Sequence, residues 1–242
     1  MATRRRRRLD VLAAMLYATK RGMSWSNCYA YARDMVTPSS TGSYKLQPGH
    51  LSGDDSPIDL HDCSDLRARL AHDGVRERLA SSSSCPRNTH EIAAYLARGK
   101  DYHFYRKDED VIVHYRGTAT TTTTMAAAAS LAKKFGVPVS HVKMFPEQHL
   151  ALIEGANMWT HKPGTTSARS ADSCDRPIRD PDDACRGSGD LLYHIPCGRF
   201  CARNPTRAEA VTIVPADPDA ADADLARRLS TNAHVMSKNA LR

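Results

Sequence analysis

The sequence has no long apolar run. A membrane-spanning helix needs roughly 20 predominantly apolar residues, whereas the longest apolar stretch, Leu9 to Ala18, is about half that length and contains Asp10. No small-x-small cleavage site precedes the basic residues Lys20 and Arg21, so a secretory signal is not expected. The sequence therefore predicts no transmembrane segment and a soluble protein that is intracellular or virion-associated rather than secreted.

Four motifs that carry common chemistries are also absent. There is no Gly-x-x-x-x-Gly-Lys-Ser/Thr loop, no Gly-x-Gly-x-x-Gly, no His-Glu-x-x-His and no Gly-x-Ser-x-Gly. These absences remove sequence support for nucleotide hydrolysis, Rossmann-type redox chemistry and zincin proteolysis. We accordingly expect no cofactor.

Aromatic residues are scarce, at 6% of the 242 residues, while hydrophobic residues reach 41%. This is slightly lean for a globular chain but too rich for wholesale disorder. Such a length predicts one domain with extensions or two small domains. We expect a basic arm and short helix at 1–22, a main domain at 23–205 and a loosely ordered tail at 206–242.

Positive charge is concentrated at one end of the chain. The net charge is +7, and subtracting the five charges of the run Arg4, Arg5, Arg6, Arg7 and Arg8 leaves +2 for all other residues. A basic nucleic-acid-binding face across the fold is therefore not predicted. The arm itself suits weak contact with nucleic acid or an anionic surface, nuclear import, or a solubilising role.

The chain has seven cysteines, an odd number, so at least one thiol stays outside intramolecular disulfides. If Cys28 is the free thiol, the others can pair with none left over, which requires an oxidising compartment or a virion. These six are Cys63, Cys85, Cys174, Cys185, Cys197 and Cys201.

A zinc site is the competing explanation for the later cysteines. Cys197 and Cys201 are spaced as Cys-x3-Cys, and Cys174, Cys185 or His194 are near enough in sequence to complete a ligand set. The spacing does not match a pair of Cys-x2-Cys knuckles, which makes zinc the weaker alternative.

Sequence periodicity predicts several elements before the middle of the chain. Leu9 to Tyr17 has the apolar spacing of a short helix, and a second helix begins near Cys28 with Ser24 or Ser26 as its N-cap. Ser64 to Ala80 is predicted as an amphipathic helix. A hairpin is predicted from His90 to Ala97 and from Asp101 to Lys107, with His103 and Tyr105 on one face and Tyr102 and Phe104 on the other.

The second half of the chain is predicted to contain one helix and two strands, followed by a region rich in loops. A helix is expected at Met125 to Phe135, ending at Gly136 and Pro138, with strands at Val111 to Val113 and Leu150 to Ile153. Beyond Gly164 the chain becomes polar and is expected to be rich in loops.

Cys28 and two histidines have the residue types that cysteine catalysis requires. Such a thiol needs its pKa lowered, which a helix N-terminus and a neighbouring imidazole both favour, and a third group must orient the imidazole. Cys28 falls in the first turn of a predicted helix, and His103 and His161 fall on predicted strands. Each residue alone is as well explained by an ordinary core position.

The order of several short motifs resembles that of the NlpC-type papain-like cysteine hydrolases. The motifs are Asn27-Cys28-Tyr29-Ala30-Tyr31-Ala32, Leu46-Gln47-Pro48-Gly49, Asp101-Tyr102-His103-Phe104-Tyr105 and Trp159-Thr160-His161-Lys162-Pro163-Gly164. The strings are also similar to a set in uncharacterised bacterial and large-virus proteins. The resemblance covers roughly Ser24 to Gly164, and through Cys197 to Cys201 extends to about Asn204.

The resemblance implies an α+β papain-like fold in which a Cys-bearing helix packs on a small antiparallel sheet. Cys28 would be the nucleophile, His103 the general base and His161 the orienting third member. The backbone N–H of Cys28 would contribute to an oxyanion hole, and the reaction would cleave a peptide or amide bond of a peptide or protein substrate.

Both the assignment of the base and the function have alternatives. His103 and His161 are far apart in sequence, so the segment at about 111–157 must be an insertion at the hairpin tip, or His114 or His149 takes the place of the base. The chain could also be a catalytically inactive papain-like scaffold stabilised by disulfides, or a nucleic-acid binder acting through its arginine arm.

Overall fold

The architecture is taken from a computed structural model, which describes residues 26–35, 46–79, 84–115, 121–146, 150–164, 166, 168–187 and 189–203. The predicted N-terminal helix, the arginine arm, the C-terminal tail and His149 lie outside these residues. No helix within the described ranges is long and apolar enough to cross a membrane.

Among the described residues, two α-helices precede the main sheet. Helix α1 spans Cys28–Ala32 and is entirely buried. Its N-cap is Asn27, whose side chain accepts a hydrogen bond from the backbone N–H of Ala30 at 2.9 Å, so the predicted Ser24 or Ser26 cap is wrong. Helix α2 spans Ser64–His72 and ends earlier than expected. The chain turns at Gly74, which has a φ of 78°, and then enters a strand.

The main sheet has five antiparallel strands. They are β1 (Arg76–Glu77), β2 (Thr89–Ala97), β3 (Asp101–Asp108), β7 (Met158–His161) and β8 (Ile195–Arg203), in the spatial order β1-β8-β2-β3-β7. The predicted β2–β3 hairpin is confirmed. Strand β8 was not predicted, and it pairs with β2 over most of its length, so this part of the polar C-terminal region belongs to the middle of the sheet.

The two faces of this sheet pack against different groups. On one face, Tyr102 and Phe104 of β3 join α1 in the largest core cluster, together with alternate residues of β2. On the opposite face, Tyr95 of β2, Tyr105 of β3 and Trp159 of β7 form a second cluster. The predicted alternation along β3 is therefore confirmed for these aromatic residues.

A second sheet lies in sequence between β3 and β7. It comprises β4 (Val111–His114), β5 (Val142–Phe145) and β6 (Leu150–Ile153), in the order β4-β6-β5. Helix α3 spans Thr121–Phe135, so it begins before the expected Met125, and it shares a separate core cluster with these strands. The alternative base His114 belongs to β4 of this second sheet. The mixed architecture of antiparallel sheets and few helices agrees with the α+β class.

Six cysteines form three disulfides. They are Cys63–Cys197, Cys85–Cys201 and Cys174–Cys185. The zinc alternative at Cys174, Cys185, Cys197 and Cys201 is therefore wrong, because disulfide sulfurs are not available as thiolate ligands. Cys28 is free and buried, as its proposed role as the odd cysteine requires.

Candidate functional site

The Cys28 thiol lies at the N-terminus of α1, against the backbone of β3. The thiol donates to the carbonyl oxygen of Tyr102 at 3.8 Å, whereas the backbone N–H groups of Phe104 and Tyr29 favour a charge on the sulfur. Because Tyr102 and Phe104 flank His103 in sequence, the sulfur is beside the His103 position of the strand. Strand β7 pairs with β3 only from Tyr105 onward, so it does not cover this stretch.

The two predicted histidines are joined directly. His103 Nε2 is 2.7 Å from His161 Nδ1, and His161 Nε2 is 3.0 Å from the carbonyl oxygen of Ala171. Both imidazoles are buried. The ring of Tyr105 stacks on His161 and meets His103 edge-on, and the ring of Tyr193 packs against His103. The distance in sequence between the histidines is bridged because β3 and β7 are neighbours in the sheet.

These contacts determine where the protons lie on the neutral rings. A backbone carbonyl only accepts hydrogen bonds, so His161 Nε2 must donate to Ala171. Nδ1 of the neutral His161 ring then carries no proton. His103 Nε2 must therefore donate to His161 Nδ1, which leaves Nδ1 of His103 as a lone-pair acceptor. Within the described residues this Nδ1 has no hydrogen-bond partner. The pair thus presents a single basic nitrogen, at His103.

Burial sets the charge state of the three groups. Burial, with a smaller effect from His161, holds the pKa of His103 well below its usual value of 6.5. Burial likewise lowers the pKa of His161 to about 4. Burial, followed by the negative charge of Asp101, raises the pKa of the Cys28 thiol to about 12. At neutral pH the site holds a neutral thiol and two neutral imidazoles.

The raised pKa of Cys28 contradicts the expectation of an activated thiol. Helix α1 has only five residues, and its N-terminal field is outweighed by the loss of water around Cys28, a residue that is 7% exposed. The thiol also has no hydrogen bond to either imidazole among the described residues. The structure therefore joins His103 to His161 directly and brings Cys28 to the backbone on either side of His103.

A buried carboxylate that the sequence analysis missed fixes the turn beside Cys28. Asp73 accepts hydrogen bonds from the hydroxyl of Tyr29 at 2.6 Å and from the backbone N–H groups of Gly49 at 2.8 Å and Ser52 at 3.1 Å. This carboxylate ties α1 to the Leu-x-Pro-Gly turn. No local pattern marks Asp73, because it acts only through residues distant in sequence.

The same turn contacts α1 and β3 at two further points. The amide Nδ2 of Asn27 donates to the carbonyl oxygen of Leu46 at 2.8 Å, and the hydroxyl of Tyr102 donates to Oε1 of Gln47. The turn therefore lies next to the residues that position the thiol. This gives the Leu46-Gln47-Pro48-Gly49 motif a structural role that the sequence left unassigned.

The Ala171 carbonyl belongs to a loop closed by the Cys174–Cys185 disulfide. Asp172 organises this loop by accepting from the backbone N–H groups of Cys174, Arg176 and Cys185 and from the Arg176 guanidinium. These sulfurs cluster with the Asp172 carboxylate, but their disulfide removes them as metal ligands. The loop thus supplies the acceptor at the end of the histidine pair.

Comparisons with protein-family models, with curated proteins and with solved structures found no match to this chain.

Proposed function

We propose that the protein is a papain-like thiol hydrolase that cleaves a peptide or amide bond through Cys28, His103 and His161. The observation that carries this proposal is the chain of hydrogen bonds from Ala171 through His161 to His103. This chain leaves Nδ1 of His103 unprotonated, and Cys28 contacts the backbone of the residues on either side of His103.

In this mechanism the imidazole acts as a general base and not as half of a resting ion pair. His103 Nδ1 accepts the thiol proton as the Cys28 sulfur attacks the substrate carbonyl carbon, and the carbonyl π electrons move to oxygen. The resulting imidazolium donates through Nε2 to His161, whose own orientation is fixed by Ala171. In the proposed mechanism the backbone N–H of Cys28, the first residue of α1, donates to the oxyanion.

The tetrahedral intermediate then collapses and returns the proton. The C–N bond breaks, and the leaving amine takes the proton from His103 Nδ1, which leaves a thioester on Cys28. His103 again acts as base while water attacks the thioester. This step releases the carboxylic acid and regenerates the free thiol. No external oxidant, metal or cofactor is needed for this balance.

One set of observations favours the second candidate, an inactive disulfide-stabilised scaffold. The thiol is buried and its pKa is about 12. Two disulfides tie β8 to earlier parts of the chain, and a third closes the loop that follows β7. Both candidates share the fold, but only the hydrolase predicts that a substrate carbonyl is transferred to the sulfur.

Acylation by p-nitrophenyl acetate separates these candidates. The hydrolase predicts a burst of nitrophenolate with one acetyl group on the Cys28 peptide, detected by mass spectrometry. Cys28→Ser should abolish the burst, and His103→Gln should slow it by about 10²–10⁴-fold, the usual contribution of a general base. His90→Gln is the matched control, because His90 is also buried and bonds instead to the Ala32 carbonyl.

The scaffold predicts a different pattern. Acetylation would then be slow, spread over surface lysines, and equal in the wild type, Cys28→Ser and His103→Gln. That result, in variants with native circular dichroism, would overturn the hydrolase proposal.

A further inference from the structure

Lys162 is a fully buried lysine directly after His161. Its Nζ donates to the carbonyl oxygen of Ser26 at 2.6 Å and to that of Gly164 at 2.6 Å. Burying an ammonium group is costly unless its charge and its protons are compensated. Lys162 is in the same motif as His161, but the hydrolase mechanism gives it no role.

The Ser26 carbonyl is the contact that connects Lys162 to the nucleophile. Ser26 precedes Asn27, the N-cap of α1, and Cys28 is the first residue of that helix. The lysine therefore ties the end of β7, which carries His161, to the backbone that presents the thiol. One side chain fixes two of the three proposed site residues relative to each other.

The charge of Lys162 also acts on the sulfur. Burial and the carboxylate of Asp101 both raise the pKa of Cys28, whereas the Lys162 ammonium lowers it. Three tyrosine hydroxyls also interact with the charge of Cys28. They belong to Tyr102 and Tyr105 on β3 and to Tyr193.

We propose that Lys162 is a positioning residue that holds the N-terminus of α1 against β7 and stabilises the Cys28 thiolate with its positive charge. This inference rests on the proposed hydrolase function and adds a residue to its machinery. When the thiol proton moves to His103 Nδ1, the negative charge left on the sulfur develops near an ammonium that is already in place, so no group has to move to meet it.

Alkylation of Cys28 by iodoacetamide tests the role of the charge. The rate is followed at mildly alkaline pH by mass spectrometry of the Cys28 peptide, because only the thiolate reacts. Lys162→Gln keeps an amide that can donate to both carbonyls but removes the charge, and we expect alkylation about tenfold slower, equivalent to a rise of one unit in the pKa of Cys28. Lys162→Arg keeps the charge and should stay within about threefold of the wild type.

The direction of the change in alkylation rate distinguishes the proposed charge effect from a purely structural role of Lys162. Loss of a tie alone would loosen α1, expose the thiol and speed its alkylation. Lys143→Gln is the control, since Lys143 is half exposed and pairs with Glu154 in the second sheet. Alkylation of folded Lys162→Gln at the wild-type rate or faster would overturn the proposal. If that variant does not fold, Lys162→Arg decides, and a tenfold fall despite the retained charge would overturn it.

The result of the alkylation experiment does not depend on whether the protein cleaves a substrate. Alkylation reports the thiolate even where no carbonyl is transferred, so a failed acylation experiment together with slow alkylation of Lys162→Gln would reject the hydrolase and retain the lysine's effect on the thiol. Normal acylation together with unchanged alkylation of Lys162→Gln would retain the hydrolase and reject the effect of Lys162 on the thiol.

Discussion

The buried histidine pair makes a quantitative prediction about stability in acid. His161 has a pKa of about 4 in the folded protein and 6.5 in an exposed reference state. The unfolded chain therefore binds a proton between these values while the folded protein does not. Stability contributed by the neutral ring is complete above pH 6.5 and is lost as the pH falls toward 4. At 1.36 kcal/mol per pKa unit, the loss attributable to His161 is about 3 kcal/mol.

Urea unfolding followed by tryptophan fluorescence measures this loss. Trp159 is in the buried cluster on the same sheet face as the pair and provides the signal. The wild type should lose stability steadily from about pH 6.5 to about pH 4, and His161→Gln should lose about 3 kcal/mol less over that window. The carboxylates with lowered pKa values add their own loss only below the ordinary aspartate value of 3.8, outside most of the window. They are Asp54, Asp62, Asp172 and Asp182.

His194→Gln is the control for this experiment, because His194 is exposed. It should reproduce the wild-type pH dependence. Equal pH slopes for the wild type and His161→Gln, with both proteins folded at neutral pH, would refute the assignment of a buried, neutral His161.

Three further predictions concern the surroundings of the site. Asp73→Ala should lower the free energy of unfolding by about 3 kcal/mol in urea, because it leaves three donors without their acceptor; the exposed Asp55→Ala should change it little, and equal effects would contradict the anchoring role. Gly49→Ala should lower the free energy of unfolding by more than the roughly 1–2 kcal/mol of a left-handed alanine, because its Cβ would be 3.0 Å from the Asp54 carbonyl oxygen. The Cβ of Gly99→Ala would meet no atom, so that variant should lose only the conformational part. A larger loss of thermal stability in Gly99→Ala than in Gly49→Ala would be inconsistent with this packing. Replacing Cys174 and Cys185 together by serine should hydrate His161 and raise its pKa toward 6.5 in an NMR titration, and an unchanged value would show that the disulfide does not hold the Ala171 loop.

Local pattern predicted the elements that carry the site. The β2–β3 hairpin and its alternation follow from a two-residue period, so the separation of Tyr105 from Phe104 onto opposite faces could be predicted from sequence. The helix start near Cys28 was predicted from a polar N-cap, although the cap is Asn27 and not the predicted Ser24 or Ser26. The motif order also brought His103 and His161 forward as a pair, which the 2.7 Å contact joins.

Features that depend on distant partners could not be predicted. The Ala171 acceptor comes from an irregular loop, and strand β8 has a mixed burial pattern without clean alternation. The pKa of Cys28 was expected to be lowered by the helix terminus, but it depends on how much water the surrounding side chains exclude. Periodicity within a segment contains no information about that enclosure.

The central claim is that the histidine pair presents one unprotonated nitrogen, Nδ1 of His103. Long-range proton–nitrogen NMR spectra of ¹⁵N-histidine-labelled protein at neutral pH test it directly, with Cys28→Ser and His161→Gln used for assignment. The account predicts that both rings are neutral and that each carries its proton on Nε2. A proton on Nδ1 of His103, or a charged ring at either position, would contradict it.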